Sequence, residues 1–200
     1  MKKSAKPMGA NSAVSVRLPA RTLKTRDGIF EIDLNLNGAA LRWRVRPSET
    51  LLDALRRNGW RGAKRGCDTG ECGSCTVIID GRPMLSCLLP AVAAHGRDIT
   101  TIEGLGGTSN PHPIQQAFAE TGAVQCGFCI PGMILSAKSL LDENTDPSPR
   151  QIRHALDGNL CRCTGYVKQI EAVSLAAQRI RRGSPAGSRK RRAAASSGRT

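Results

Sequence analysis

Residues 66–75 read GCDTGECGSC, and this stretch decides the fold of the first half of the chain. Cys67, Cys72 and Cys75 stand at Cys-x4-Cys-x2-Cys spacing, with Gly66, Gly70 and Gly73 between and beside them. A fourth cysteine, Cys87, follows after eleven residues. The x4 and x2 spacing is that of plant-type [2Fe–2S] sites. Glycines let the backbone close on an anionic cluster and aim N–H groups at its sulfurs. Zinc sites more often pair two short Cys knuckles, frequently with His. This quartet is therefore read as an iron–sulfur site.

The flanks of that loop read as strands and one helix. Phe30, Ile32, Leu34 and Leu36 alternate with polar residues, as do Leu41, Trp43 and Val45, and Asn37-Gly38 between them is a hairpin turn. Thr50 caps a helix with Leu51, Leu52, Leu55 and Trp60 on its apolar face, stopped at Gly59. Thr76 to Ile79 predicts a strand, Asp80-Gly81 a second hairpin turn, Pro83 to Ser86 its return and Asp98 to Ile102 a last strand. The expected layout is α+β, a small mixed sheet wrapped on one helix.

After Gly104 the strand signals stop. Pro113, Pro131 and Ser148-Pro149 open three helices, and a fourth spans about Tyr166 to Arg181. The second quartet lies here, with Cys126 and Cys129 in QCGFC and Cys161 and Cys163 in CRC, the two pairs separated by 31 intervening residues. Its spacing alone is open between zinc and iron–sulfur. Cys126 and Cys129 sit just before a helix N-terminus, where the dipole and free N–H groups favour thiolates. The expected division is a flexible basic arm over 1–26, a cluster domain over 27–104, a helical domain over 105–182 and a disordered basic tail over 183–200.

Charge is concentrated at the ends. Residues 1–26 and 181–200 each carry seven Lys or Arg and no acid, so the body is neutral and the net +14 belongs to the termini. Ends rich in Ser, Ala, Gly and Arg, without stacking aromatics, read as solubilising extensions rather than nucleic-acid binders. No apolar leader and no run of about 18 apolar residues is visible, which points to a soluble, cytoplasmic chain where metal use of thiols outweighs disulfides. His95, His112 and His154 are not at ligand spacing to either quartet. No catalytic triad, phosphate loop or carboxylate pair is present, so no substrate chemistry is assigned to this chain.

GCDTGECGSCTV, then SCL at Ser86 to Leu88, QCGFCIPGMI and NLCRCTGY together resemble the small iron–sulfur subunit of the xanthine oxidase family of molybdenum hydroxylases, over about residues 29–181. The resemblance implies a ferredoxin-like β-grasp domain followed by a four-helix [2Fe–2S] domain. It implies a large subunit holding molybdenum and a molybdopterin cofactor, and a medium subunit holding FAD. Cys67, Cys72, Cys75 and Cys87 match the ligands of one cluster; Cys126, Cys129, Cys161 and Cys163 match those of the other. Gln125 matches a glutamine that hydrogen-bonds the pterin, and Cys163 the cluster ligand nearest to it. The chain is then an electron-transfer subunit, relaying electrons from the molybdenum site towards FAD or another acceptor. The alternative is a free-standing two-cluster carrier. A respiratory dehydrogenase subunit would carry a Cys-x2-Cys-x2-Cys-x3-Cys-Pro run, which is absent.

Overall fold

The computed structural model describes residues 23–24 and 28–183. The expected tail and almost all of the expected arm lie outside them. Within the arm, Leu23–Lys24 form a two-residue strand, β1, paired antiparallel with the start of β2 (Phe30–Leu36). β2 and β3 (Ala39–Val45) form the expected hairpin, with Leu34 opposite Leu41 and Ile32 opposite Trp43. Asn37 and Gly38 both take positive φ, 54° and 82°, as a tight hairpin turn of this hand requires.

α1 (Leu51–Arg57) starts at a capping box. The Thr50 hydroxyl accepts from the Asp53 N–H, and the Asp53 carboxylate accepts from Thr50. Its buried Leu51, Leu52 and Leu55 pack with Ile32, Leu36, Trp43 and Val45 into one core. β4 (Thr76–Ile79) and β5 (Arg82–Leu85) form the second hairpin, and β6 (Asp98–Thr100) lies between β4 and β2, parallel to β2. The last strand is shorter than expected, because Ile102–Gly104 form a 3-10 turn. The Asn37 side chain is bonded at the break. Its Oδ1 accepts from the Thr101 N–H at 2.8 Å, and its Nδ2 donates to the Thr101 hydroxyl at 2.9 Å.

The second half is helical: α2 (Pro113–Glu120), α3 (Ile130–Glu143), α4 (Pro149–Leu156) and α5 (Val167–Gly183). α2 packs on α5, and α3 on α4. Phe118, Met133, Ile152 and Val173 are buried in a second core. α3 also lies on β4, which explains why all four β4 residues are buried instead of alternating. The fold is thus α+β, with four helices after the sheet, as the resemblance implies.

Candidate metal centres and their surroundings

The first three cysteines sit on the loop between α1 and β4, and Cys87 follows β5. The loop curls so that the N–H groups of Thr69 and Cys72 both point at Cys67 Sγ, each at 3.4 Å. These donors, with the Thr69 hydroxyl first among them, hold the Cys67 thiol down to about 6. At the closed end, Cys75 Sγ and Cys87 Sγ stand 3.4 Å apart and buried. Burial, then the neighbouring Cys75, pushes the Cys87 thiol up to about 12. A Cβ on Gly66 would stand 2.6 Å from Cys72 Sγ, so only glycine leaves that sulfur its place.

The second quartet is assembled from two segments. Cys129 is the N-cap residue of α3 and makes no side-chain cap bond; behind it the Ile130 N–H donates to the Gly127 carbonyl at 3.3 Å, and the positive end of the helix dipole lies at the cysteine. Cys163 Sγ lies 3.6 Å from Cys126 Sγ, both exposed. The buried Cys129 thiol is pushed up to about 12, by burial first and then by Cys161. The eight thiols are free, without a disulfide.

With metal–sulfur bonds of about 2.3 Å and tetrahedral angles, two thiolates on one metal stand about 3.8 Å apart. The spacings of Cys75/Cys87 and Cys126/Cys163 suit two thiolates on one metal. Among the described residues, no three His, Cys, Asp or Glu side chains converge as ligands of a single ion. One close thiol pair in each quartet is the arrangement in which two thiolates share one metal, as each iron of a two-iron cluster requires.

Three residues around the second quartet carry no signal in the cysteine spacing. The Thr164 hydroxyl lies 3.0 Å from Cys161 Sγ. The Tyr166 hydroxyl accepts from the Cys161 N–H at 2.7 Å, and Tyr166 itself has φ 69°. Gln169, fully buried on α5, donates from Nε2 to Thr164 Oγ1 at 2.5 Å and to the Ala123 carbonyl at 3.0 Å. It ties the segment before Cys126 to the segment after Cys163. A hydroxyl directly after the CRC motif was the one clue available. The histidines lie apart from both sites: His95 Nδ1 accepts from the Asp33 N–H, and His112 caps α2.

Gln125 is exposed beside exposed Cys126. Val124 and Phe128, on either side of them, are exposed large apolar residues, as are Leu160 and Val167 around the other segment.

Residues 34–97 match the 2Fe-2S iron-sulfur cluster binding domain, and residues 101–174 match the [2Fe-2S] binding domain. The chain is 50% identical over 149 residues to the nicotinate dehydrogenase small FeS subunit of Eubacterium barkeri, covering 74% of this chain and 95% of that one. The chain belongs to the small iron–sulfur subunits of the xanthine oxidase family of molybdenum hydroxylases. In three dimensions this iron–sulfur subunit is similar to a chain of quinoline 2-oxidoreductase from Pseudomonas putida 86. That likeness has TM-score 0.74 and 45% identity, over 78% of this chain and 98% of that one. In the aldehyde oxidoreductase of Megalodesulfovibrio gigas, 45% identical over 148 residues, the matching stretch is only 16% of the relative's length. The subunit is part of an oxidoreductase and has two [2Fe–2S] binding domains. No helix among its described residues is long and apolar enough to cross a membrane.

Proposed function

We propose that this subunit holds one [2Fe–2S] cluster on Cys67, Cys72, Cys75 and Cys87 and a second on Cys126, Cys129, Cys161 and Cys163. It passes single electrons from a molybdenum–pterin site on a large subunit towards FAD on a medium subunit or towards another acceptor. The observation that carries this reading is the pairing of thiols at 3.4 and 3.6 Å in two separate sites. The bound clusters supply one-electron chemistry; the chain supplies thiolates, N–H donors and burial. Gln125 offers both an amide donor and an acceptor beside exposed Cys126, which suits the edge of a pterin. Cys163, exposed and 3.6 Å from Cys126 Sγ, is in this reading the ligand nearest that cofactor. The exposed Val124, Phe128 and Leu160 favour a partner surface over a free-standing carrier. The chain divides near residue 104 into two cluster domains, and it works in the cytoplasm, where free thiols suit cluster insertion.

Metal analysis and spectroscopy test the assignment. The purified chain should hold four irons and four labile sulfides and give two distinct paramagnetic signals on reduction. Zinc without sulfide would sink it. Gln125→Ala should keep both signals and slow substrate reduction of the clusters several-fold in the assembled complex, since one hydrogen bond is worth about 0.5–1.5 kcal/mol.

A further inference from the structure

Beside the packing of α3 on β4, the cysteine-bearing segments of the two halves are joined at Asn159. This residue is only 2% exposed, and it lies two positions before Cys161. Its Nδ2 donates to the carbonyl of Gly73 at 3.0 Å and reaches Thr76 Oγ1 at 3.4 Å. Gly73 lies between Cys72 and Cys75. Its carbonyl also accepts from the Thr76 N–H at 3.1 Å and from the Thr76 hydroxyl at 2.7 Å. The next residue along, Leu160, donates its N–H to the carbonyl of Cys72 at 2.9 Å.

The glycines around this point leave no room for a side chain. A Cβ on Gly73 would stand 2.1 Å from the Gly158 carbonyl oxygen, and the residue has φ 69°. A Cβ on Gly132, in the first turn after Cys129, would stand 2.4 Å from the Gly73 carbonyl oxygen. Three backbone segments, each adjoining cysteines of a quartet, therefore touch at Gly73, and the buried Asn159 amide bonds two of them, its own and that of Gly73. An amide donor is required there. A carboxylate would set an acceptor against a carbonyl, and an alkyl group would leave the bond unmade.

Resting on the reading that both quartets carry clusters, we propose that Asn159 is a positioning residue that clamps the two cysteine loops together. It fixes the separation across which one electron passes, one cluster losing what the other gains, with no bond or proton changed in the chain. The fold has two cores, and the clamp holds the cysteine loop of one to the cysteine-bearing segments of the other.

The test uses the full holo-chain, wild type, Asn159→Asp and Asn159→Ala, fully reduced. It reads iron and sulfide content, and the magnetic splitting that two reduced clusters impose on each other's signals. The expected result is unchanged content with the mutual splitting diminished or lost in both variants. A defect of stability alone would lower the unfolding midpoint and leave the splitting of the intact molecules as in wild type; that outcome overturns the clamp. Should an Asn159 variant not assemble, Gly132→Ala keeps the Asn159 amide but sets a Cβ 2.4 Å from the same Gly73 carbonyl oxygen and 3.0 Å from Asn159 Nδ2, pressing on the clamp from the other side, and the same two readings decide. A wild-type chain without two clusters would defeat the underlying reading, a result visible before any variant is compared.

Discussion

Gly66 and Gln169 illustrate how single residues shape the two sites. At Gly66 the limit is space: the 2.6 Å from a built Cβ to Cys72 Sγ cannot be met without moving the sulfur. Gly66→Ala is expected to abolish the signal of the first cluster and keep that of the second, as read by spectroscopy on the reduced chain. At Gln169 the limit is hydrogen bonding. Its Nε2 serves Ala123 and Thr164, while its Oε1 is buried without a partner among the described residues. Gln169→Leu strands the Ala123 carbonyl, at a cost of about 1–3 kcal/mol for an unsatisfied buried group, partly offset by removing the orphaned oxygen. A net loss of about 1 kcal/mol in chemical unfolding is expected. No loss would mean that the amide contributes nothing to holding the two segments together.

At the level of elements, helix ends do much of the specifying. α1, α2 and α4 each begin at a capping box, formed by Thr50/Asp53, His112/Gln115 and Ser148/Gln151. Ser148→Ala should lower stability by about 1 kcal/mol, measurable by denaturant unfolding. Asp53 adds a pH dependence. The Thr50 hydroxyl, opposed by partial burial and helped by the Thr50 N–H and Arg65, holds its carboxyl below the ordinary 3.8. A depressed folded-state carboxyl adds stability that is present above 3.8 and is lost as pH falls through the folded value. Acid unfolding of Asp53→Asn should therefore be less steep below pH 3.8 than that of wild type. Equal slopes would show that the carboxylate adds nothing.

Across the whole molecule, two cores share one junction. Cys75 and Cys87 belong to the core under the sheet, and Cys129 to the core among the helices. Cys72→Ser and Cys129→Ser should each remove one of the two signals and keep most of the other, because each core packs its own apolar residues. Loss of both signals from either single variant would mean that the cores do not fold independently. The junction extends beyond Asn159, since the Ser139 hydroxyl on α3 donates to the Gly81 carbonyl at the β4–β5 turn.

Local rules in the sequence sufficed for the hairpins and for the caps at Thr50 and Ser148, but not for the His112 cap of α2. Asn37-Gly38, Thr50 and Ser148-Pro149 act through their own backbone or a few neighbours, so their conformations are written in adjacent residues. The signature at Cys67, Cys72 and Cys75 is legible because a curled loop around an anionic group needs glycine and cysteine at close spacing, whereas the spacing of the second quartet by itself left zinc and iron–sulfur open. What remained hidden depends on residues far apart in the chain. Asn159 reaches Gly73 across 86 positions and Gln169 reaches Ala123 across 46. β4 is buried on both faces only because α3, more than 50 residues later, lies over it. A polar residue next to a motif has the same letter whether it faces water or bonds a carbonyl. Only the packing of one half on the other decides which, since burial without a partner is what makes the hydrogen bond obligatory.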